Sequence, residues 1–243
     1  ILQSVGKWNI GNIIEYFEIP KGNFENDLNS GCCKQVIYKD SNKHKAKRNG
    51  RKIAKFPIKV WLQFLGWYLS EGSCDGDFTI IISQQKEEGK SKIREMLKDF
   101  PYHSKEYENC FTIYGKDLVR YLRQFGDCYE KYIPREILNL HPDLLIYLYD
   151  ALIAGDGYKA NALCDVYSTS SKTLYNDICE LGIKLGYVPL SKERDMNLYV
   201  KNGKPNWSIS FVKKEFTAVT KINKIQYNGK VYCVEVPPYH TVL

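Results

Sequence analysis

A pattern of proline, apolar stretch, acid and glycine occurs twice in this chain and constrains its fold more than any other feature. In the first copy Pro57 leads to Glu71–Gly72, and in the second Pro142 leads at the same spacing to Asp156–Gly157. Proline suits the first turn of a helix, and glycine suits the residue after its end, where a positive φ is common. The pattern therefore predicts two similar helices of about four turns each.

Each predicted helix carries two small residues one turn apart near its carboxyl end, namely Gly66 and Ser70 in the first and Ala151 and Gly155 in the second. Such a stripe lets two helix backbones approach closely, which would bring Glu71 and Asp156 side by side. Neighbouring carboxylates repel each other, and a hard divalent cation such as Mg²⁺ would offset that repulsion. The alternative is a pair of ordinary core helices. However, the helix dipole disfavours an acid at a carboxyl end, and here one occurs in both copies.

The segments that follow the two helices also correspond to each other. After the first we expect, in order, a strand at 78–83, a helix at 91–100, a strand at 110–114 and a helix through Leu118, Val119, Leu122 and Phe125. After the second we expect a strand around 162–169, a helix through Leu174, Ile178, Leu181 and Leu185, and strands near 198–200 and 207–211. The sequence thus predicts an α+β domain with a pseudo-twofold αββαββα repeat, whose halves are residues 56–140 and 141–216.

Alternation within the strands indicates which side chains face the core. We expect these to be Phe78, Ile80 and Ile82 in the first half, and Trp207, Ile209 and Phe211 in the second. The polar residues on and beside the opposite face are candidates for contact with the major groove of DNA: Thr79, Ser83, Gln85, Lys86, Ser208 and Ser210. A polar face is equally typical of a solvated antiparallel sheet, so alternation leaves both interpretations open.

Charge favours a polyanionic partner. The formal net charge is +7 and the pI is about 8.8. Basic residues concentrate between Lys43 and Lys55 without an intervening acid, and we assign five of them to the phosphate backbone of DNA: Lys45, Lys47, Arg48, Arg51 and Lys52. A solvated loop or a nuclear import signal would have the same composition.

Other features exclude several classes of protein. The eight cysteines include no CxxC pair and are accompanied by four histidines, which disfavours a zinc finger or ribbon. The longest apolar run, Leu144 to Gly155, contains Asp150 and is too short to span a bilayer. No secretory signal is evident, so we expect an intracellular protein with no membrane partner.

Two nine-residue segments, Phe64–Gly72 and Tyr149–Gly157, resemble the paired motifs of LAGLIDADG homing endonucleases. The eighth position of each motif, which holds the metal-binding acid in that family, corresponds to Glu71 and Asp156. The resemblance implies a saddle of two four-stranded sheets and a monomer that cuts both strands of a long, specific DNA target. It also implies Mg²⁺ as cofactor, with Mn²⁺ able to replace it and Ca²⁺ able to bind without supporting efficient cleavage.

The same resemblance implies a lysine near each acid that stabilises charge during phosphodiester hydrolysis. Lys131, just before Tyr132-Ile133-Pro134, matches the first of these lysines. Lys213 or Lys214, after the last predicted strand, is the candidate for the second half.

The tail resembles a different domain. Asn228-Gly229 predicts a tight hairpin, and Lys230–Leu243, with His240, resembles the penultimate block of an intein. We therefore interpret residues 217–243 as an intein-like hairpin and residues 1–55 as a basic DNA-binding or linker segment. Both would be remnants of a β-rich splicing (Hint) domain, and splicing by this chain itself is not expected. Two other functions stay open: an RNA maturase that assists intron splicing, and a DNA-binding relative that does not cut.

Overall fold

The computed structural model describes residues 11–19, 55–194, 205–213, 224 and 226–230. The five basic residues assigned to DNA phosphates, Lys214 and the intein-like segment from 231 onward lie outside the described residues, as does the strand predicted near 198–200.

The described chain begins with a two-stranded antiparallel sheet and the first half of the repeat. The strands of this sheet are β1 (Tyr16–Glu18) and β2 (Lys55–Pro57). The first half contains α1 (Ile58–Glu71), β3 (Gly72–Asp75), β4 (Thr79–Ser83), α2 (Glu87–Lys98), β5 (His103–Glu106), β6 (Cys110–Tyr114) and α3 (Lys116–Leu122), which continues as a 3₁₀ turn, Arg123–Phe125.

The second half repeats this order after a linker that contains the short helix α4 (Arg135–Leu138). Its elements are α5 (Pro142–Asp156), β7 (Gly157–Asn161), β8 (Cys164–Thr169), α6 (Lys172–Lys184), β9 (Val188–Arg194) and β10 (Asn206–Val212). The predicted pseudo-twofold α+β repeat is therefore confirmed over the described residues, and the segment after β10 that would correspond to α3 lies outside them. None of the described helices is long and apolar enough to cross a membrane.

Each half contributes one antiparallel four-stranded sheet with the same strand order. The orders are β3-β4-β6-β5 and β7-β8-β10-β9. One face of each sheet is buried against the helices, and its largest side chains include Ile80, Ile82 and Phe111 in the first half and Tyr167, Ile209 and Phe211 in the second. We call the opposite face of each sheet its open face.

One detail of the strand prediction is wrong, and one strand was not predicted. Phe78 does not enter the core: it lies in the turn before β4 and is 58% exposed, with the Lys116 ammonium 5.2 Å from its ring centre. The strand that was not predicted is β9, at 188–194, which pairs with β10. Because β9 is an edge strand exposed over most of its length, it lacks the apolar alternation by which the other strands were predicted.

The motif helices α1 and α5 pack against each other through the predicted stripe of small residues. A Cβ atom placed on Gly66 would lie 2.6 Å from the Cβ of Ala151, and one placed on Gly155 would lie 2.5 Å from the Cβ of Ser70. The Ser70 hydroxyl also donates to the Leu152 carbonyl across the interface, at 3.4 Å. The backbones are thus as close as the small side chains permit, and the predicted pairing is confirmed.

Residues 11–19 connect the amino-terminal ends of these two helices. The Glu15 carbonyl accepts from the first N–H of α1, that of Ile58, at 2.9 Å, and Asn12 exchanges two backbone hydrogen bonds with the segment before α5, namely with the Asn139 carbonyl and the His141 N–H. Phe17 is buried and stacks on Trp61 of α1 with ring centres 4.1 Å apart. Both motif helices are therefore held at the ends opposite their acids.

Candidate functional site

The two motif acids are the last residues of the paired helices. Glu71 ends α1 and Asp156 ends α5, and each is followed directly by the first strand of its sheet. A Cβ on Gly155 would lie 3.5 Å from Cγ of Glu71, which places the two carboxyl-bearing turns against each other. The helix pairing thus brings the acids together where both sheets begin.

The glycines after the acids serve a purpose other than the predicted one. Gly72 has φ −93° and Gly157 has φ −110°, so neither needs the left-handed region. Instead, a Cβ on Gly72 would lie 2.5 Å from Cα of Tyr68, and one on Gly157 would lie 2.7 Å from Cα of Ile153. Glycine is required because the strand turns back tightly over the last turn of its own helix.

The acids disfavour each other's ionisation. Loss of hydration and, next, the Glu71 carboxylate raise the pKa of Asp156 to about 7, against the opposing charge of Lys131. Loss of hydration also raises the pKa of Glu71, while Lys131 and Lys86 act to lower it. Within the described part of the chain, neither carboxylate has a hydrogen-bonding or ion-pair partner, although both remain accessible to solvent. The site therefore holds negative charge that its surroundings compensate only in part.

The chemistry of these donors fits a hard divalent cation. Carboxylate oxygens suit Mg²⁺, which is commonly held by one or two carboxylates together with water and phosphate oxygens. Among the described residues no cluster of three or more His, Cys, Asp or Glu side chains forms a closed metal cage. A half-buried and an exposed acid that need outside oxygens to complete a coordination shell match a cation shared with a phosphate substrate.

Lys131 lies beside the acids, as the resemblance implies, but its ammonium group is already engaged. Nζ donates to the backbone carbonyls of Tyr68, at 2.8 Å, and of Gly72, at 2.9 Å, which flank Glu71 at the end of α1. The side chain is buried, and this burial lowers its pKa against the raising effects of Asp156 and Glu71. An ammonium group has three donors, and the acceptors among the described residues use two of them.

The other lysines differ in position. Lys86 is exposed just before α2, and its charge acts to lower the pKa of Glu71. Nζ of Lys213 lies 5.3 Å from the ring centre of Tyr187, and the Tyr187 ring stacks on Tyr149 of α5. The charges that act on Asp156 are those of Glu71 and Lys131. Lys131 and Lys86 are thus the described lysines whose charges act on the acids, and the charge of Lys213 is not among those that act on either acid.

The candidate DNA contacts divide by exposure. Thr79 and Ser83 lie on the open face of the first sheet and Ser210 on that of the second, while Gln85 and Lys86 are exposed in the turn after β4. Ser208 is also on the open face but is only 6% exposed, so neighbouring side chains cover it.

Sequence reasoning missed two basic side chains on the second open face. Lys192 and Arg194 of β9 share the register of Ser208 and Asn206 and are exposed. Lys105 of β5 occupies a similar edge position in the first sheet, opposite Thr112. Because β9 has no buried face, no alternation in its sequence identifies it as a strand.

Lys55 belongs to the basic run and lies at the end of α1 opposite Glu71. Its ammonium pairs with Glu18 at 2.9 Å, across the two-stranded β1–β2 sheet. That sheet lies at the amino-terminal end of α1, and Glu71 lies at the other end. The basic run therefore joins the described structure at the end of the helix pair remote from the acids.

No family model and no curated protein matches this sequence. Solved structures do show similarity. A structure of I-DmoI in complex with DNA and Mn is 12% identical with a TM-score of 0.45, over 63% of this chain and 89% of that one. Full-length DUF199/WhiA from Thermatoga maritima is 12% identical with a TM-score of 0.43, over 65% of this chain and 51% of that one. The N-terminal LAGLIDADG domain of DUF199/WhiA is 10% identical with a TM-score of 0.42, over 63% of this chain and 74% of that one. This chain is thus similar in structure to the homing endonuclease I-DmoI and to a LAGLIDADG domain.

Proposed function

We propose that this chain is a site-specific DNA endonuclease of the LAGLIDADG type that cuts both strands with the help of a divalent cation. The observation that carries this proposal is the juxtaposition of Glu71 and Asp156 at the ends of two helices in direct contact. A structural role does not account for two adjacent carboxylates that have no hydrogen-bonding or ion-pair partner among the described residues and whose pKa values are both raised.

Glu71 and Asp156 would hold Mg²⁺ between them and the DNA. When bound, the cation supplies Lewis acidity that polarises a phosphodiester and lowers the pKa of an attacking water. The protein itself contributes positive charge. Lys131 and Lys86 bring positive charge to the acids and to the phosphate that approaches them, and the charge they supply is worth more in a partly desolvated site than in water.

DNA would lie along the open faces of the two sheets. Both begin directly after an acid, so a duplex that contacts both faces passes over the acid pair. Exposed or half-buried polar side chains line this path: Thr79, Ser83 and Gln85 from the first half, and Ser210, Lys192 and Arg194 from the second. The net charge of +7 supports association with a polyanion but gives no sequence specificity. We also propose that this chain derives from an intein, on the basis of the motif at Lys230–Leu243 alone.

The test is linearisation of supercoiled plasmid that carries the uninterrupted gene into which the coding sequence is inserted, in the presence of Mg²⁺. Glu71→Gln and Asp156→Asn should abolish cleavage and leave DNA affinity in Ca²⁺ within about tenfold, because they remove metal ligands only. The matched control is Asp150→Asn, an exposed acid on the same helix as Asp156, which should cut like the wild type.

Three results would contradict the proposal. Full cleavage by either motif variant would remove these acids from the reaction. A wild-type protein that binds the plasmid without cutting it would be a non-cleaving relative. Preferential binding of structured RNA, without cleavage of DNA, would indicate the maturase alternative.

A further inference from the structure

The linker between the two halves lies against α6 of the second half through polar contacts. The Ile133 N–H donates to Oδ2 of Asp177 at 2.8 Å. Two further contacts follow along the linker: Arg135 pairs with Glu180 at 2.6 Å, and the Lys184 ammonium donates to the Leu138 carbonyl at 2.6 Å. The linker is therefore fixed to the second half although it follows the first in sequence.

Ser171 makes a further contact of this kind, with the backbone of Lys131. It caps α6, where its Oγ accepts from the Leu174 N–H at 3.2 Å, and the same Oγ donates to the backbone carbonyl of Lys131 at 2.6 Å. Ser171 is completely buried, and its own N–H donates to Oγ1 of Thr169 at 3.1 Å. The Ser171 hydroxyl thus acts both as acceptor and as donor, and it donates to the linker residue Lys131.

Lys131 links Ser171 to the end of α1 through its own hydrogen bonds. Its carbonyl is held by Ser171, and its ammonium by the carbonyls of Tyr68 and Gly72. Those two carbonyls lie on either side of Glu71, so the lysine fixes the direction in which the chain leaves the helix at the acid. A continuous series of hydrogen bonds thus runs from the cap of a second-half helix to the end of the first motif helix.

We propose that Ser171 is a positioning residue, which holds Lys131 against the end of α1 and thereby makes the placement of Glu71 depend on the docked second half. This role rests on the proposed function, because placement of Glu71 matters for cleavage only if the acid pair is the active site. Nζ–carbonyl distances of 2.8 and 2.9 Å leave little tolerance, since hydrogen bonds weaken beyond about 3.2 Å. A misplacement of about 1 Å in a catalytic centre can reduce the rate on the order of a hundredfold.

The variant Ser171→Ala tests this proposal, with Ser170→Ala as matched control. Ser170 is the adjacent serine, and its hydroxyl accepts from Asn206 at 3.4 Å instead of contacting Lys131. The first readout needs no cleavage: the ¹⁵N-edited NMR signal of the Lys131 ammonium, identified by its absence in Lys131→Met. In wild type and Ser170→Ala we expect a protected ammonium in slow exchange with water, and in Ser171→Ala we expect a shifted or exchange-broadened signal.

The second readout separates positioning from loss of folding. Ser171→Ala should lower the maximal cleavage rate about tenfold or more at saturating DNA, with the Kd for DNA in Ca²⁺ unchanged, and Ser170→Ala should alter neither quantity. In a Lys131→Met background the same substitution should have no further effect on the rate, because it acts through the lysine. A residue that stabilises only the fold would lower the rate by the same factor in both backgrounds.

The two readouts fail independently. An unchanged Lys131 ammonium signal in folded Ser171→Ala overturns the positioning role, whatever the enzyme does to DNA. Additive rate effects of Ser171→Ala and Lys131→Met overturn it as well. If the wild type does not cut DNA, the proposed function fails, while the NMR comparison still decides whether Ser171 holds Lys131.

Discussion

Substitution of Gly66 tests the helix contact on which the placement of both acids depends. In an exposed helix interior, a change from glycine to alanine stabilises by about 1 kcal/mol, because alanine has the higher helix propensity. At Gly66 the new Cβ would lie 2.6 Å from the Cβ of Ala151 and 2.8 Å from the Leu148 carbonyl oxygen, neither of which is the end of a flexible side chain. Ordinary contact begins near 3.4 Å, so α1 and α5 must move apart by several tenths of an ångström.

The expected magnitude follows from these opposing effects. Overpacking of a close-packed interior costs about 1–3 kcal/mol, and two rigid contacts place Gly66→Ala at about 3 kcal/mol. After the gain in helix propensity, a net destabilisation of about 2 kcal/mol remains, which lowers the melting temperature of a chain of this size by about 4–8 °C. The assay is thermal unfolding followed by circular dichroism, with urea denaturation to obtain the free energy of unfolding.

A compensating substitution supplies the control. Ala151→Gly removes the methyl group that the new Cβ would meet, so the double variant Gly66→Ala/Ala151→Gly should recover part of the lost stability. The coupling energy should be about 1–2 kcal/mol, and recovery stays incomplete because the Leu148 carbonyl is still close. If Gly66→Ala raises the melting temperature, the two helices do not touch at this residue and the reasoning that joins Glu71 to Asp156 fails.

Two further predictions concern the ends of the helix pair. Phe17→Ala should lower the free energy of unfolding by about 3 kcal/mol in urea titrations, because it removes a buried ring stacked on Trp61, whereas a loss no larger than that of exposed Tyr16→Ala would show that residues 11–19 do not hold the helices. The raised pKa of Asp156, about 7 against an ordinary 3.8, favours folding while the group is protonated, and this contribution is lost as the pH rises through about 7. In EDTA the melting temperature should therefore fall more between pH 4 and pH 8 for the wild type than for Asp156→Asn. Addition of Mg²⁺ at pH 8 should raise the melting temperature of the wild type again. Identical pH curves for the two proteins would contradict the raised pKa.

The parts of the fold that the sequence predicts are those encoded locally and repeated. Proline, glycine and acid at one spacing specify both motif helices, and the small residues of the stripe identify the faces that meet. Burial of alternate residues such as Ile80 and Ile209 follows from the strand period of two. Each of these signals occurs within a few residues, and its second copy confirms the first.

The parts that the sequence does not predict depend on contacts between distant segments. Edge strand β9 carries no buried face by which to recognise it, and Phe78 lies one residue before its strand begins. The hydrogen bonds of Lys131 to Tyr68 and Gly72 join residues about sixty positions apart, and no local pattern encodes them. Motif resemblance located Lys131 beside the acids but could not show that backbone carbonyls already engage its ammonium.

Residues from both halves of the chain surround each acid, so the site requires both halves. Glu71 ends a first-half helix, but the turn that carries it packs on Gly155 of the second half. Asp156 ends a second-half helix, but the charges that act on it, Glu71 and Lys131, belong to the first half and the linker. Ser70 and Gly155 leave no room between the helices for a slightly different alignment. An isolated half would therefore possess an acid at a helix end but not the paired, partly compensated carboxylates that favour a divalent cation, so the site arises from the contact between the two copies of the repeat.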